Sequence, residues 1–381
     1  MNLDLTEEQE MVRNHVREFA QNEIAPVARE YDEAEKFPRE QLKGLGELGL
    51  LGMIIPEEYG GAGFDSVSYA LALEEISKAD SSVAVIVSVT NSVCCYPILS
   101  FGTEEQKQKY LIPLAKGEKL GAFCLSEPQA GSDAVNQKTR AVEDGDFYVL
   151  NGTKSWVTNG GEADVYLVVA VTGENDGRKE ITAFLIESDA EGLAVSSIEH
   201  KMGQRASQTA EMSLTDVKVP KANVLGKPGE GLKVAFSSLD NGRIGIAALS
   251  VGIAQAALVE SAKYAKDRTA FGKPIAEFQA IQQKLADMAT EVDAARLLTL
   301  RAASMKDSGN TRTGFYASMA KLFASETANK VCAEAVQIHG GNGFSRHYNV
   351  EKYYRDARIT TIYEGTSEIQ RIVISRGILK L

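Results

Sequence analysis

Val165-Tyr166-Leu167-Val168-Val169-Ala170-Val171 and the later run Ile181 to Ile186 decide the fold, because both are short, apolar and rich in β-branched residues. Runs of this length and composition predict buried strands. Further β-rich runs and the turn signals between runs are Phe147 to Leu150, Val217 to Val219, Asn151-Gly152, Asn159-Gly160-Gly161 and Glu191-Gly192. The region from about Leu120 to Leu225 is therefore predicted to be a small antiparallel β domain.

The regions on both sides of these strands repeat their apolar residues at helical spacing. The pattern extends from Leu5 to about Lys116, and after Gly231 it covers Leu232 to Ala265, Ala276 to Met305 and Phe315 to Ile338, with Gly340 and Gly341 as a helix stop. Because strands and helices are segregated along the chain, the sequence predicts an α+β fold, mostly α, and not an alternating α/β fold. The predicted domains are 1–117 (helical), 118–227 (β) and 228–381 (helical).

The length of 381 residues exceeds the usual single-domain range and favours two or three domains. The chain has 41 Lys and Arg residues against 52 Asp and Glu residues, and a net charge of −11 argues against nucleic-acid binding. Cys94, Cys95, Cys124 and Cys332 lack the Cys-x-x-Cys spacing of a zinc or redox site, so we expect reduced, mostly buried thiols. The four histidines are too scattered to suggest a metal site, and none is predicted.

Two segments bear on location. The acidic stretch Met1 to Glu8 lacks the basic start and apolar run of a signal peptide, so a cytoplasmic location is predicted. The stretch Ser81 to Thr103 is uncharged, but its serines, Asn91 and Pro97 are costly in lipid. We therefore expect a buried helix there and no membrane insertion.

Three local features carry candidate chemistry, and each also has a plain structural explanation. Glu364 precedes Ser367 and Gln370, whose spacing predicts a capping box at the final helix, so Glu364 is either a functional or a merely solvated loop carboxylate. The glycine-dense segment Gln337 to Phe344 can approach a phosphate closely or form a simple turn. The segment Asp267 to Ile275 contains a cation and an aromatic residue, and it is either a binding segment or a solvated connector.

Together these segments resemble the acyl-CoA dehydrogenase family over nearly the whole chain and in the family's order. The matching segments are Ile54 to Gly61, Cys124 to Asp133, Trp156 to Gly160, Lys201 to Arg205, Arg268 to Pro274, the loop at Gly340, and Tyr363 to Thr366. The resemblance implies a helical N-terminal domain, a β middle domain, a C-terminal four-helix bundle, FAD as cofactor and a homotetramer. It also implies that electrons pass to an electron-transfer flavoprotein.

The resemblance assigns the catalytic base to Glu364, which would remove the α-proton of an acyl-CoA thioester while FAD accepts the β-hydrogen as hydride. A desolvated carboxylate with a raised pKa suits the deprotonation of a weak carbon acid, and no protein side chain accepts a hydride. The positions that the resemblance assigns to FAD are Phe123, Leu125, Ser126, Ser132, Trp156, Thr158, Arg268, Thr269, Phe271, Phe278, Gln279, Gln337, Ile338, His339, Gly340, Gly341, Thr366 and Glu368. Those that it assigns to the substrate are Ser132, Asp240, Arg243 and Gly365. Trp156 alone would instead suggest a β-domain core residue.

Gly242 bears on the choice of substrate. The family's isovaleryl-CoA and long-chain branches carry their base as a Glu at this position, so Gly242 disfavours those branches and returns the role to Glu364. The glutaryl-CoA branch has an Arg in the segment that aligns with Asp80 to Val85, where this chain has no cation, so a dicarboxylate would lack its counter-ion. The resemblance is closest to the short-chain, butyryl-CoA type, with branched, cyclic and dicarboxylic acyl groups as alternatives.

Two other classes of function are compatible with the same fold. One is a FAD enzyme that sends its electrons to oxygen, and the other is a non-enzymatic scaffold that binds acyl-CoA. Glu364 argues against a hydroxylase. A scaffold would be expected to lose the base and the flavin contacts, and this chain keeps both.

Overall fold

The computed structural model describes residues 4–380 and confirms the order of helical, β and helical regions. The helices of the first region are α1 (Glu7–Phe19), α2 (Ala25–Ala34), α3 (Arg39–Glu47), α4 (Ser66–Ala79), α5 (Ser81–Val89), α6 (Tyr96–Phe101), α7 (Glu104–Gln106) and α8 (Ile112–Ala115). Helix α1 begins at a capping box, in which the Thr6 hydroxyl accepts from the Gln9 backbone N–H and the Gln9 side chain accepts from the Thr6 N–H. A π-helical segment, Thr90–Cys95, joins α5 to α6 in one helical run.

The uncharged stretch forms a buried helix, as predicted. Among residues 4–380, two helical runs are long and apolar enough to cross a membrane by length and composition alone, Ser81–Phe101 and Gly231–Asp267. The interior of the protein buries 89% and 72% of their most apolar windows. Core helices of folded domains commonly have this composition, so the two runs are weak evidence for membrane spans.

The middle region is one eight-stranded sheet with the strand order β6-β7-β3-β2-β4-β5-β8 and with β1 beside β4. Its strands are β1 (Gly121–Cys124), β2 (Arg140–Asp144), β3 (Phe147–Thr158), β4 (Val165–Asn175), β5 (Arg178–Glu187), β6 (Leu193–Ile198), β7 (Thr209–Pro220) and β8 (Val224–Leu225). The expectation of a purely antiparallel sheet is wrong, because β1 runs parallel to β4 and β2 meets β4 in parallel at Arg140 and Val171. Neither strand is joined to β4 by a hairpin, so local turn signals could not reveal the pairing.

The turn predicted at Asn151-Gly152 is also wrong. Strand β3 continues through both residues, with a register shift against β7 between Leu150 and Gly152. A Cβ atom at Gly152 would lie 2.4 Å from the Thr139 hydroxyl oxygen and 2.7 Å from the Thr139 Cα. The glycine therefore serves a close approach of two strands, which is a known use of glycine within a strand.

The last region contains the predicted long helices and a short hairpin. Its elements are α9 (Gly231–Ser237), α10 (Leu239–Asp267), β9 (Thr269–Ala270), β10 (Lys273–Pro274), α11 (Gln279–Asp307), α12 (Thr313–His339), α13 (Val350–Arg358) and α14 (Ser367–Leu379). The predicted stop after Ile338 is confirmed, because α12 ends at His339 and Gly340 has φ 59°. One apolar core joins residues of α1, α4 and α5 to residues of α10, α11 and α12.

The two faces of β4 pack in different cores, and one of these cores joins the sheet to the N-terminal helices. Val165, Leu167 and Val169 pack in a core with residues of the N-terminal helices, whereas Tyr166 and Val168 pack in a core built from sheet residues. This alternation follows the two-residue period of a strand. The four cysteines are free and buried, as predicted, and residues 4–380 contain no group of three His, Cys, Asp or Glu side chains suited to a metal ion.

A buried cluster of charges, here called the Lys352 cluster (Asp80, Lys352 and Asp356), joins all three regions. The Lys352 ammonium lies 3.2 Å from an Asp80 carboxylate oxygen and 2.7 Å from an Asp356 oxygen, and all three side chains are at least 96% buried. The backbone N–H of Gln204, from the loop before β7, donates to Asp356 at 2.6 Å. Burial alone would lower the pKa of Lys352, but attraction to Asp356 and Asp80 raises it.

Candidate active site

Glu364 lies in the turn that leads into α14. The N-cap of α14 is Thr366, whose hydroxyl accepts from the backbone N–H of Ile369 at 3.3 Å. The capping box predicted at Ser367 and Gln370 is wrong, because Ser367 is already the first helical residue. The Gln370 side chain instead donates to the carbonyl oxygens of Glu364, at 3.1 Å, and Gly365, at 2.9 Å.

The turn itself is strained. Glu364 has φ 54° and Gly365 has φ 89°, and for a residue other than glycine this conformation costs about 1–3 kcal/mol. A Cβ atom at Gly365 would lie 2.7 Å from the Gln370 amide nitrogen, so glycine is required there on two grounds. Lys321, from the middle of α12, also donates to the Gly365 carbonyl oxygen, at 2.8 Å. Side chains from two helices thus hold the turn in place.

The Glu364 carboxyl group points at Gly242 near the start of α10. A Cβ atom at Gly242 would lie 2.3 Å from Glu364 Oε2 and 2.8 Å from Glu364 Cδ. Oε2 is buried and accepts no hydrogen bond from the residues that the structure describes. Burial raises the pKa of Glu364 to about 7, although the positive charges of Arg243 and Lys321 act to lower it. A desolvated carboxylate without a donor is suited to accept a proton, and a solvated loop carboxylate would lack these features.

The predicted substrate residues Asp240 and Arg243 lie within one helical turn of Gly242. Arg243 donates to Asp240 at 3.2 Å, and its side chain is 11% exposed. The Arg243 Nε atom is buried and has no acceptor among residues 4–380. The structure therefore brings Arg243 and Gly365 close to the Glu364 carboxyl group. The Asp240 carboxylate instead lies beside Gly314 at the start of α12, where an added Cβ atom would be 3.0 Å from it, and Ser132 lies exposed in the loop between β1 and β2.

The predicted flavin residues Ser126 and Trp156 lie on adjoining segments. The backbone N–H of Ser155 donates to the Ser126 carbonyl at 2.9 Å, which joins β3 to the loop after β1. A register shift in β3 between Lys154 and Val157, with φ 61° at Trp156, turns the indole outward, and Trp156 is 63% exposed. Bulges commonly redirect a side chain in this way. The explanation of Trp156 as a core residue of its own domain is therefore wrong.

A buried ion pair fixes the loop that carries Leu125 and Ser126. The Lys154 ammonium lies 2.8 Å from Glu127 and also donates to the Leu125 carbonyl at 3.2 Å and to Gln137 at 3.0 Å. Burial alone would raise the pKa of Glu127, but attraction to Lys154 and hydrogen bonds from the backbone lower it to about 2. Lys154 and Glu127 were not predicted as site residues. Phe123 and Thr158 lie on the neighbouring strands β1 and β3.

The remaining predicted FAD residues lie mainly at one end of the C-terminal helices. Phe271, in the β9–β10 hairpin, is 95% exposed and meets Phe278 edge to face, with 6.1 Å between ring centroids. The exposed members of this set are Arg268, Thr269, Phe271, Gln279, Gln337, Gly340, Gly341 and Glu368. Added Cβ atoms at Gly340 and Gly341 would meet nothing within 4 Å, so the loop leaves room for a ligand. Exposed cationic, aromatic and glycine-rich segments fit an extended dinucleotide such as FAD.

Tyr264 was missed by sequence reasoning, although it organises this end of the helices. Its hydroxyl donates to the His339 carbonyl at 3.3 Å and accepts from Asn342 at 2.9 Å, and its ring stacks on His339 at 4.1 Å. The side chains of Ile338 and His339 are 5% and 3% exposed, so they are packed within their own chain. Tyr264 lies one helical turn before Arg268, which links the Arg268 segment to the Gly340 loop.

Comparison with known proteins identifies the family. Three family models match consecutive parts of the chain, the acyl-CoA dehydrogenase N-terminal domain over residues 6–118, the middle domain over 122–217 and the C-terminal domain over 229–379. A probable acyl-CoA dehydrogenase of Bacillus subtilis is 53% identical over 381 residues, which is 100% of both chains. The chain belongs to the acyl-CoA dehydrogenase family. It is an oxidoreductase of that family.

Two further similar proteins are acyl-CoA dehydrogenases whose names specify the acyl-CoA. The short-chain specific acyl-CoA dehydrogenase of Clostridium acetobutylicum is 48% identical over 380 residues, which cover 100% of both chains. The structure of butyryl-CoA dehydrogenase from Megasphaera elsdenii superposes with a TM-score of 0.97 at 46% identity, again over 100% of both chains. The acyl-CoA dehydrogenase fold predicted from the sequence motifs is therefore confirmed.

Proposed function

We propose that this acyl-CoA dehydrogenase converts a short-chain acyl-CoA thioester to its trans-2-enoyl-CoA, with FAD as cofactor, Glu364 as base and an electron-transfer flavoprotein as acceptor. The observation that carries the proposal is the Glu364 carboxyl group, whose Oε2 is buried, accepts no hydrogen bond from residues 4–380 and faces Gly242. A base in this setting is preorganised for a proton on carbon.

In the proposed reaction Glu364 accepts the α-proton of the thioester, and the β-hydrogen leaves with its electron pair. FAD, when bound, supplies the hydride acceptor that protein side chains lack. Arg243 places a positive charge near the carboxylate, and burial keeps water away from its Oε2 atom. Donors that face the thioester carbonyl oxygen are required to stabilise the charge that develops there, and the backbone N–H of Glu364 is our candidate.

The proposal for FAD rests on two supports. Acyl-CoA dehydrogenases are flavoproteins. In addition, the exposed Trp156 fits an isoalloxazine, and the Arg268 segment and the open Gly340 loop together fit the diphosphate and the adenine. Arg268 would pair with the diphosphate as a planar charged fork, and Gly340 and Gly341 would let the backbone approach it closely.

The preference for a short acyl chain is tested by anaerobic reduction of the bound flavin with a panel of acyl-CoA substrates. We expect butyryl-CoA to reduce the flavin faster than isovaleryl-CoA, glutaryl-CoA or palmitoyl-CoA. Asp80 to Val85 is buried and supplies no cation, which disfavours a dicarboxylate. If glutaryl-CoA or a branched acyl-CoA reduced the flavin fastest, the proposed short-chain preference would be wrong. If none of the acyl-CoA substrates reduced the flavin, the proposed activity would be refuted.

The FAD site is proposed to need more than one chain of a homotetramer. Phe271 and Phe344 are 95% and 91% exposed in a single chain, so both rings are free to contact a ligand or a partner chain. Sedimentation velocity on the yellow protein is expected to show a tetramer, and dilution into monomers is expected to release FAD. Monomers that retain stoichiometric FAD would contradict this assembly.

A further inference from the structure

Lys321 is a fully buried cation beside the proposed base. It lies in the middle of α12 and is 0% exposed. Its ammonium donates to the carbonyl oxygen of Gly365, the residue directly after Glu364, at 2.8 Å. A buried ammonium is costly unless hydrogen bonds and neighbouring negative charge compensate it, so its position next to Glu364 calls for an explanation.

The backbone around the base gives part of that explanation. Glu364 and Gly365 both have positive φ, at 54° and 89°, and such a turn persists only where its surroundings hold it. Two side chains from different helices hold the turn, Lys321 of α12 and Gln370 of α14, and both donate to the Gly365 carbonyl oxygen. Removing the Lys321 donor leaves Gln370 as the remaining side-chain donor to that carbonyl.

The charges around the turn give the other part. The Glu364 carboxyl group is influenced by Arg243 of α10 and Lys321 of α12, and both cations favour the carboxylate form. Burial lowers the pKa of Lys321 to about 8, whereas the charge of Glu364 acts to raise it, so the two groups favour each other's charged form. Besides Glu364, the charged groups that act on the pKa of Lys321 are Arg243, Glu326 and Glu368. The charge of Glu364 in turn acts on the pKa values of Tyr69, Cys94 and Tyr363. Burial raises the pKa of Tyr69, Cys94 and Tyr363, so all three side chains stay neutral near pH 7.

We propose that Lys321 is a positioning residue for the base: its ammonium holds the Gly365 carbonyl and supplies the positive charge that keeps the neighbouring Glu364 ionised. The inference rests on the proposed role of Glu364. It assigns a function to a lysine that acts through the backbone and the electrostatic field of the turn.

The test is the pH profile of flavin reduction under saturating butyryl-CoA in Lys321→Met, which keeps an unbranched side chain of similar length and removes its charge and donor. The parent rate is expected to fall as pH drops through about 7. Without the Lys321 charge the carboxylate is harder to form, so the acidic limb is expected to move upward by about one pH unit. Lys321→Arg, which keeps a cation, is expected to keep the parent limb.

The matched control is Lys330→Met on the same helix, since Lys330 is 62% exposed and pairs with Glu291 at the surface. This variant is expected to show the parent profile. If Lys321→Met fails to fold, Lys321→Gln removes the charge and keeps a donor, and the same upward shift is expected. A folded, FAD-loaded Lys321→Met or Lys321→Gln with the parent limb would overturn the inference, whereas a parent-like rate in Glu364→Gln would overturn the proposed base itself.

Discussion

Glu364→Gln is expected to slow flavin reduction by saturating acyl-CoA about 10²- to 10⁴-fold while FAD remains bound. Glutamine keeps the shape of the side chain beside Gly242 but cannot accept the α-proton. The variant should also lose the acidic limb near pH 7, because the group that produces the limb is gone. Stopped-flow absorbance of the flavin measures the rate, and the visible spectrum before mixing measures FAD content.

Moving the carboxyl group from position 364 to position 242 is a second test of the proposed base. A Cβ atom at Gly242 would lie 2.3 Å from Glu364 Oε2, so positions 242 and 364 serve the same small volume. The double variant Gly242→Glu with Glu364→Gly should therefore recover part of the rate that Glu364→Gly alone loses. Parent-like reduction in Glu364→Gln would show that Glu364 is not the base.

The order of domains could be predicted because it depends on local sequence, and Glu364 could be proposed as the base because it lies in a short motif. Short windows of sequence show the helical periodicity of α10, α11 and α12 and the β-rich runs of β4 and β5. Glu364 was found through the motif around it, and its environment agrees with the proposed role. The raised pKa required of a base was also predicted, since a carboxylate enclosed between substrate and cofactor loses water.

The residues that support the base could not be predicted, because they come from distant parts of the chain. Lys321 is 44 residues from Gly365, and Asp80 is 272 residues from Lys352. In the sequence, Lys321 is the single cation in the mostly apolar run Ala317 to Ala324. This pattern indicates that Lys321 is buried, but it does not show which group its ammonium contacts. The parallel pairing of β1 with β4 and the bulge at Trp156 were missed for the same reason, since both depend on register between strands.

Lys352→Met is expected to lower the free energy of unfolding by about 3–5 kcal/mol, because it leaves two carboxylates buried without their counter-ion. Asp80 and Asp356 are 3% and 1% exposed, and water cannot replace the ammonium that lies between them. Urea unfolding at fixed protein and FAD concentration, followed by far-UV circular dichroism, measures the change. Lys330→Met, at an exposed ion pair, is expected to cost less than about 1 kcal/mol.

The pH dependence of this loss tests its electrostatic cause. Burial already raises the pKa of Asp80 in the parent, and without Lys352 the pKa of Asp80 should rise further. A carboxyl group with a folded-state pKa above its unfolded value destabilises the protein as pH rises through the folded value, so the penalty of Lys352→Met should grow as pH rises from the ordinary pKa of an aspartate to the raised pKa of Asp80. Gln204 connects the cluster to the active site, since its backbone donates to Asp356 and its side chain donates to the Tyr363 hydroxyl at 3.2 Å, next to Glu364. A pH-independent penalty would assign the loss to packing of the lysine side chain, and a variant as stable as the parent would show that the Lys352 cluster does not hold the three regions together.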